Sequence, residues 1–336
     1  MTEAWVESVY SPPEARTPWS LAQLLAPAPV RYFGLGRIAM SAAFSAGGLK
    51  RGDTVLFPEF ICAEATYAAT TLGCQVSYYP VRPDLTPATE QKDWPKASAV
   101  VAVDYFGFAQ DLTPFRYYVE RTHALLVEDN AHGLFSRATD GSWLGLRADA
   151  GVFSFRKTIA LSHGGALAIP PGSRIPAPDQ GLYQHDLPTR WRVKESLRAF
   201  GRVVGASKLR ALHRFGKGGG AGGGDRVEEL ALPPVALAGP LTIGDPELEV
   251  ERRRALYQWC DEKARPLGAK PVFPALTAGA APFTYAYRAP AGADETIEAS
   301  LDASGLDVFR WPQLPPELEK GSPAHYRDVR CVRFLW

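Results

Sequence analysis

Cysteine is scarce in this chain. Four occur among 336 residues, Cys62, Cys74, Cys260 and Cys331, with no C-x-x-C pair and no histidine at ligand spacing from any of them. That pattern excludes a disulfide framework and a thiolate metal site, and sets an expectation of reduced thiols in the cytoplasm. Net charge is equally scarce. Lysine plus arginine is 37 and aspartate plus glutamate 36, a balance of +1. Nucleic-acid or membrane-surface partners favour a clear basic excess, so neither is expected. Long apolar runs are missing too: none approaches the roughly 20 residues of a spanning helix, so no membrane segment is expected. The opening "MTEAWVESVYSPPEARTPW" carries acids and prolines instead of an apolar stretch, which argues against a signal peptide. No internal repeat is visible.

What is present is apolar material, 46% of the residues, over a length that predicts two lobes. From about residue 36 to 170 strand-like and helix-like stretches alternate. "IAMSAAFSAGGL", "AEATYAATTLG" and "LTPFRYYVERTH" read as helices, and "DTVLFP", "CQVSYYPV", "ASAVVAVDYFG", "ALLVEDN", "AGVFSF" and "GGALAI" as strands. Such alternation predicts an α/β fold, a mostly parallel sheet sandwiched by helices. Ligands bind such sheets beyond the carboxyl ends of the strands, so the residues just after each strand deserve the closest reading. Residues 188–215 read as an arginine-rich helix or helix pair. The nearly pure glycine run "GKGGGAGGGD", residues 216–225, reads as a flexible loop or linker and is expected to divide a large domain, 1–215, from a small C-terminal α+β domain, 226–336. In the latter, "DPELEVERRRALYQWCDEKARPLG" is a helix capped by Asp245, and Arg252–Arg254 among its glutamates reads as a solvated face. "APFTYAYRA" and "LDVFRW" read as strands around the helix "DETIEASLDASG". "FRWPQLPPEL", residues 309–318, reads as a proline-rigid surface loop.

Three stretches sit where chemistry is expected. In "FGLGRIAM", residues 33–40, two glycines precede a helix, a weak phosphate-site signal because no good strand is seen before it and no third glycine follows. In "LLVEDNAHG", Asp129 follows an apolar strand and His132 stands three residues on. Such an aspartate suits a metal, a ribose hydroxyl or a cationic ring nitrogen, or it simply caps a turn. In "FSFRKTIALSHGGAL", residues 153–167, Lys157 follows a strand with Ser154, Thr158 and Ser162 nearby, and Gly164–Gly165 allows close backbone approach. Each alone has an ordinary structural explanation. In order along the chain they are the parts pyridoxal phosphate needs. Those are N–H donors for its phosphate, a carboxylate to keep its pyridine nitrogen protonated, and a lysine for the Schiff base.

The stretches "GDTVLFPEFICAEATYAATTLGCQVSYYPV", "VEDNAHGLF" and "FSFRKTIALSHGGAL" also resemble the DegT/DnrJ-type sugar aminotransferases, fold-type I pyridoxal-phosphate enzymes, over residues 33–170. The resemblance implies amination of a nucleotide-linked keto-sugar with glutamate as donor, in polysaccharide or amino-sugar biosynthesis, by a homodimer with small-molecule substrates. It implies Lys157 as the Schiff-base lysine and Asp129 as the pyridinium partner, the two catalytic residues. It places His132 near the cofactor's ring oxygen, Gly36, Arg37 and Ile38 in the phosphate-holding segment, and Ser154 on the phosphate.

Four departures from the family pattern accompany it. "SFRK" is compact, with serine and lysine closer than usual. The position of the ring-stacking aromatic falls on Cys62, with Phe60 two residues earlier, and both remain candidates. The G-x-N-Y-R-M segment by which a partner subunit reaches the phosphate has no clear match near 225–240. The chain stops at "RCVRFLW", so the small lobe is expected to be abbreviated. The alternatives are a non-catalytic binding or regulatory protein that kept the fold, and another pyridoxal-dependent sugar reaction. A dehydratase of this fold would carry histidine in place of Lys157.

Overall fold

The computed structural model describes residues 19–159, 161, 163–177, 179, 245–303 and 306–334. The expected helices of 188–215, the glycine run 216–225 that was to divide the domains, and Ser162 all lie outside the described residues.

The chain enters through the short helix α1, Leu21–Leu25, whose Ser20 and Gln23 cap each other reciprocally. Strand β1, Val30–Phe33, follows and leads directly into helix α2, Gly36–Ala46. This corrects the expectation that no good strand precedes the glycines: "VRYF" is only partly buried at the sheet edge, so it lacks the continuous apolar signature of its neighbours. Helix α2 buries Ala39, Met40, Ala43 and Phe44, one stripe at helical spacing, and ends where the Gly47 N–H returns to the carbonyl of Ala43. Next come β2, Thr54–Pro58; α3, Ala63–Thr70; β3, Gln75–Tyr79; β4, Ala99–Val103; α4, Thr113–Thr122; β5, Leu125–Asp129; β6, Ala150–Ser154; and β7, Gly165–Ala168.

These strands form one seven-stranded sheet in the order β1-β7-β6-β5-β4-β2-β3. Strands β3, β2, β4, β5 and β6 pair in parallel, and β7 runs against its neighbours β6 and β1. Every residue of β4, β5 and β6 is buried, because helices and loops cover both faces; that explains why these segments read as unbroken apolar runs. The α/β architecture expected from the sequence is the one observed.

Helix α5, Pro246–Ala264, begins at Asp245, whose Oδ1 accepts the N–H of Glu247 at 2.9 Å. Strands β8, Lys270–Pro271, and β9, Thr284–Arg288, helix α6, Asp294–Ala303, and strands β10, Val308–Arg310, and β11, Val329–Arg333, complete a second, antiparallel sheet in the order β10-β11-β9-β8. The closing "VRCVR" is thus an inner strand of that sheet, bonded on both sides.

One part of the α5 reading is overturned. Arg253 is not on a solvated face; it is fully buried. Its Nε donates to Glu249 Oε1 at 2.6 Å, Nη1 to the Pro282 carbonyl at 3.2 Å, and Nη2 to the Thr158 carbonyl at 2.7 Å. Burial pushes the Glu249 carboxyl up, but the charges of Arg253 and Arg252 hold it below the usual range. A buried ion pair with its remaining donors on carbonyls is the satisfied kind, and this one ties α5 to the turn that follows β6.

Candidate active site

The parallel strands β4, β5 and β6 all end at one edge of the sheet, and a cleft opens there. Leu35, Gly36, Arg37 and Met40 of the α2 start line it, with Cys62 and Glu64 at the start of α3, Asp129 at the end of β5, and Ser154, Arg156 and Lys157 after β6. Residues far apart in sequence meet because each closes a strand or opens a helix on the same edge.

Local geometry explains each placement. Lys157 ends a three-residue 3₁₀ turn, Phe155–Lys157, that starts directly from Ser154. Three residues per turn bring positions three apart onto one face, so the compact "SFRK" spacing presents both Ser154 and Lys157 to the cleft. Phe155, between them, is buried against Tyr32 of β1. Helix α2 opens with Leu35 as its N-cap, a residue whose side chain makes no cap hydrogen bond. Its first residue has no room for a side chain: a Cβ on Gly36 would lie 3.0 Å from Ser154 Cβ and 3.0 Å from the Phe153 carbonyl oxygen. Gly165 is tighter still, since a Cβ there would stand 2.5 Å from the Gly36 nitrogen. The backbone that Gly165 lets in is therefore the start of α2 itself.

Asp129 is 6% exposed, and its Oδ1 accepts the Ala131 N–H at 3.1 Å. Burial pushes its carboxyl above the ordinary range, while the charge of Lys157 and the Ala131 N–H pull it back down. His132 lies inside a stack of aromatic rings, nearly parallel to Phe106 and to Phe283, with Trp311 edge-on at 5.2 Å. Burial first, and then the charge of Lys157, hold its imidazole well below its usual range, so the ring is neutral. Its Nδ1 accepts the Phe106 N–H at 3.2 Å, and its Nε2 lies 3.0 Å from Lys157 Nζ. Cys62 caps α3 without a side-chain bond; burial raises its thiol, and Lys157 lowers it.

The structure thus brings Gly36, Arg37, Cys62, Asp129, Ser154 and Lys157 to one cleft, with His132 touching Lys157. Two expected site residues stand elsewhere. Phe60 is wholly buried in the core, its ring against Tyr105, Trp311 and Tyr326, so of the two ring-stacking candidates only Cys62 faces the cleft. Ile38 does not line it either, and its N–H is spent on the Leu35 carbonyl at 3.1 Å.

Other cleft groups escaped the sequence reading. Glu64 and Arg156 line the cleft, and nothing in their local pattern marks them out. Trp311 is not in a plain surface loop: its ring packs on His132 and Phe106, and the Ala63 N–H at the head of α3 donates to the Gln313 carbonyl at 3.0 Å. The segment "WPQ", which follows β10, thereby packs behind His132 and against the head of α3. Among the described residues no cluster of histidine, cysteine or carboxylate is arranged to hold a metal ion, and no helix is long and apolar enough to cross a membrane.

The arrangement provides an amine, a buried carboxylate and anion-seeking N–H and O–H groups in one cleft, which fits pyridoxal phosphate by the chemistry of its donor set. Ser154 Oγ is the sharpest sign: Ser154 is 7% exposed, and its hydroxyl bonds to nothing else among the described residues.

Residues 34–173 match the model of the DegT/DnrJ/EryC1/StrS aminotransferase family. GDP-perosamine synthase of Vibrio cholerae is 28% identical over 136 residues, covering 39% of this chain and 37% of that protein. The dTDP-3-amino-3,4,6-trideoxy-alpha-D-glucose transaminase of Micromonospora megalomicea is 30% identical over 130 residues, covering 38% and 34%. The match therefore spans little more than a third of each relative's length. A solved DegT DnrJ EryC1 StrS aminotransferase from Brucella abortus superposes with a TM-score of 0.60 at 18% identity, covering 98% of this chain and 88% of its own, a likeness of fold.

Proposed function

We propose that this chain, whose residues 34–173 match the model of the DegT/DnrJ/EryC1/StrS aminotransferase family, is a pyridoxal-phosphate-dependent aminotransferase. Its acceptor is a nucleotide-linked keto-sugar and its donor glutamate. The observation that carries the reading is the convergence of Lys157, Asp129, Ser154 and the uncapped start of α2 in one cleft. The relatives named as a GDP-perosamine synthase and a dTDP-amino-sugar transaminase support the substrate class.

When bound, the cofactor supplies an electrophilic carbonyl for amine exchange and a protonated ring that accepts electrons. The residues supply the rest. The α2 N-terminus and Ser154 hold the phosphate, the first through backbone N–H groups and the helix dipole, the second through its hydroxyl. Asp129 holds the proton on the ring nitrogen; a carboxylate buried this deeply gains most from a cationic partner, which makes it selective for the protonated ring. Lys157 Nζ would be the point of attachment for the cofactor, and as a free amine it would move the proton at the substrate carbon as general acid and base. His132 presents Nε2 beside it, its ring fixed by the Phe106 N–H and by parallel rings on both sides. Arg253 steadies the attachment from behind, through the carbonyl of Thr158, the residue after Lys157. A homodimer in the cytoplasm is the assembly and setting we propose.

An absorbance spectrum of the purified protein, before and after glutamate, tests cofactor, lysine and donor together. The wild type is expected to show a visible band that glutamate shifts, and Lys157→Ala to lack the band. An unchanged visible spectrum in Lys157→Ala would overturn the assignment of the lysine.

A further inference from the structure

Arg156 is a cation of the cleft that is only partly engaged. Its Nη2 stands 3.6 Å from Glu64 Oε2, beyond hydrogen-bond range, and this is the one contact of its side chain among the described residues. The same Glu64 oxygen accepts a proper bond from Arg37 Nη1 at 3.0 Å. One carboxylate oxygen therefore serves two guanidiniums: Arg37 takes the hydrogen bond, and Arg156 keeps its donors available at the mouth.

Its neighbours place that free charge. Arg37 is the second residue of α2, so the Arg37–Glu64–Arg156 chain sets Arg156 beside the α2 N-terminus. Gly36, the first residue, abuts Ser154 closely enough that a Cβ would meet Ser154 Cβ at 3.0 Å. Ser154, nine-tenths buried, offers a hydroxyl that bonds to nothing else among the described residues. A helix N-terminus, an unused hydroxyl and an underused guanidinium thus share one rim, and each seeks an anion. The shortness of the turn is what brings them together, since Ser154, Arg156 and Lys157 all belong to the same four residues.

We propose that Arg156 is a ligand of the cofactor's phosphate, supplied in cis from the lysine-bearing turn. The inference rests on the reading of this cleft as a pyridoxal-phosphate site and adds a cation to it. A guanidinium offers two parallel donors to a phosphate, whereas Glu64, exposed over about half its side chain, competes for it only weakly across 3.6 Å.

The test compares pyridoxal phosphate with pyridoxal, which lacks the phosphate, by equilibrium absorbance titration of the cofactor-stripped protein. Wild type should prefer pyridoxal phosphate. Arg156→Ala should lose about tenfold or more of that preference while binding pyridoxal as before. Arg156→Lys should recover part of it, because it keeps the charge and loses the fork, and it decides the matter alone if the alanine variant does not fold. An unchanged preference in both variants overturns the proposal, including the case in which Arg156 instead raises affinity for the donor's carboxylate. Wild-type protein that binds both compounds equally overturns it while leaving Lys157 in its role. Wild type that binds neither overturns the functional reading, and this inference falls with it.

Discussion

Glu128 and Asp129 are neighbours on β5, both buried, and the alternation of a strand sends them to opposite faces of the sheet. Glu128 is closed in by protein. Its Oε2 accepts the Arg147 N–H at 2.9 Å and its Oε1 the Arg147 Nε at 2.7 Å, while Arg147 Nη2 also reaches Asp104 Oδ1 at 2.8 Å. Asp129 accepts one backbone N–H and otherwise looks into the cleft. Two carboxylates of the same strand therefore have opposite fates. One is used up in fastening β4 and β5 to the loop before β6, and the other keeps its capacity for a ligand. Burial of a carboxylate is no sign of a site; burial with capacity left over is.

The largest effect on this contrast should come from Arg147→Met. It removes the single cation facing two buried carboxylates, and a broken buried ion pair costs about 3–5 kcal/mol. Denaturant unfolding should show that loss, and a variant as stable as wild type would mean that the cluster fastens nothing. Glu128→Gln should cost less than Arg147→Met. It leaves Arg147 paired with Asp104 at 2.8 Å, and it lifts the Glu128 charge that, after burial, pushes the Asp104 carboxyl up.

Asp129→Asn should act in the opposite direction on stability and strongly on turnover. An acid whose folded value lies above its ordinary 3.8 costs stability once both states are ionised. That cost is complete above the raised folded value and absent well below 3.8. The cofactor-free variant should therefore melt about 2 °C above wild type near neutral pH, with the gap closing as pH falls toward 4. Turnover should drop at least about a hundredfold, because asparagine cannot hold the ring proton electrostatically. A melting gap that widened on acidification would contradict the burial account.

The smallest effect should come from Cys62→Ala. The thiol lies in the cleft where an aromatic was expected, yet it makes no side-chain cap and its proton is held tightly by burial. Affinity for pyridoxal phosphate should change less than about tenfold, a loss below 1.4 kcal/mol. A larger loss would show that sulfur, not ring stacking, covers the cofactor.

Much of this was open to a reader of the sequence. The strands β2, β4, β5 and β6 were legible because a sheet covered on both faces demands unbroken apolar runs, and the residues after them could be marked as site positions on that basis alone. Strand β1 was missed because an edge strand carries no such run, and the Arg253 side chain because a buried arginine next to Arg252 and Arg254 looks like any solvated helix face. Trp311 reads as surface because proline-rich loops usually are; its partners His132 and Phe106 lie some 180–205 residues earlier in the chain, a distance no local pattern spans.

The sequence by itself determined which residues end strands and open helices, and so which of them, Lys157 and Asp129 above all, face the carboxyl edge. Periodicity is local and survives in the linear order. Tertiary structure alone decided the balance of charge within that edge. It gave Glu128 to Arg147 and left Asp129 open, gave Glu64 to Arg37 and left Arg156 underused, and turned Phe60 into the core while Cys62 met the cleft. Which partner a buried charge finds depends on distances between segments that are remote in sequence, and only the folded chain fixes those.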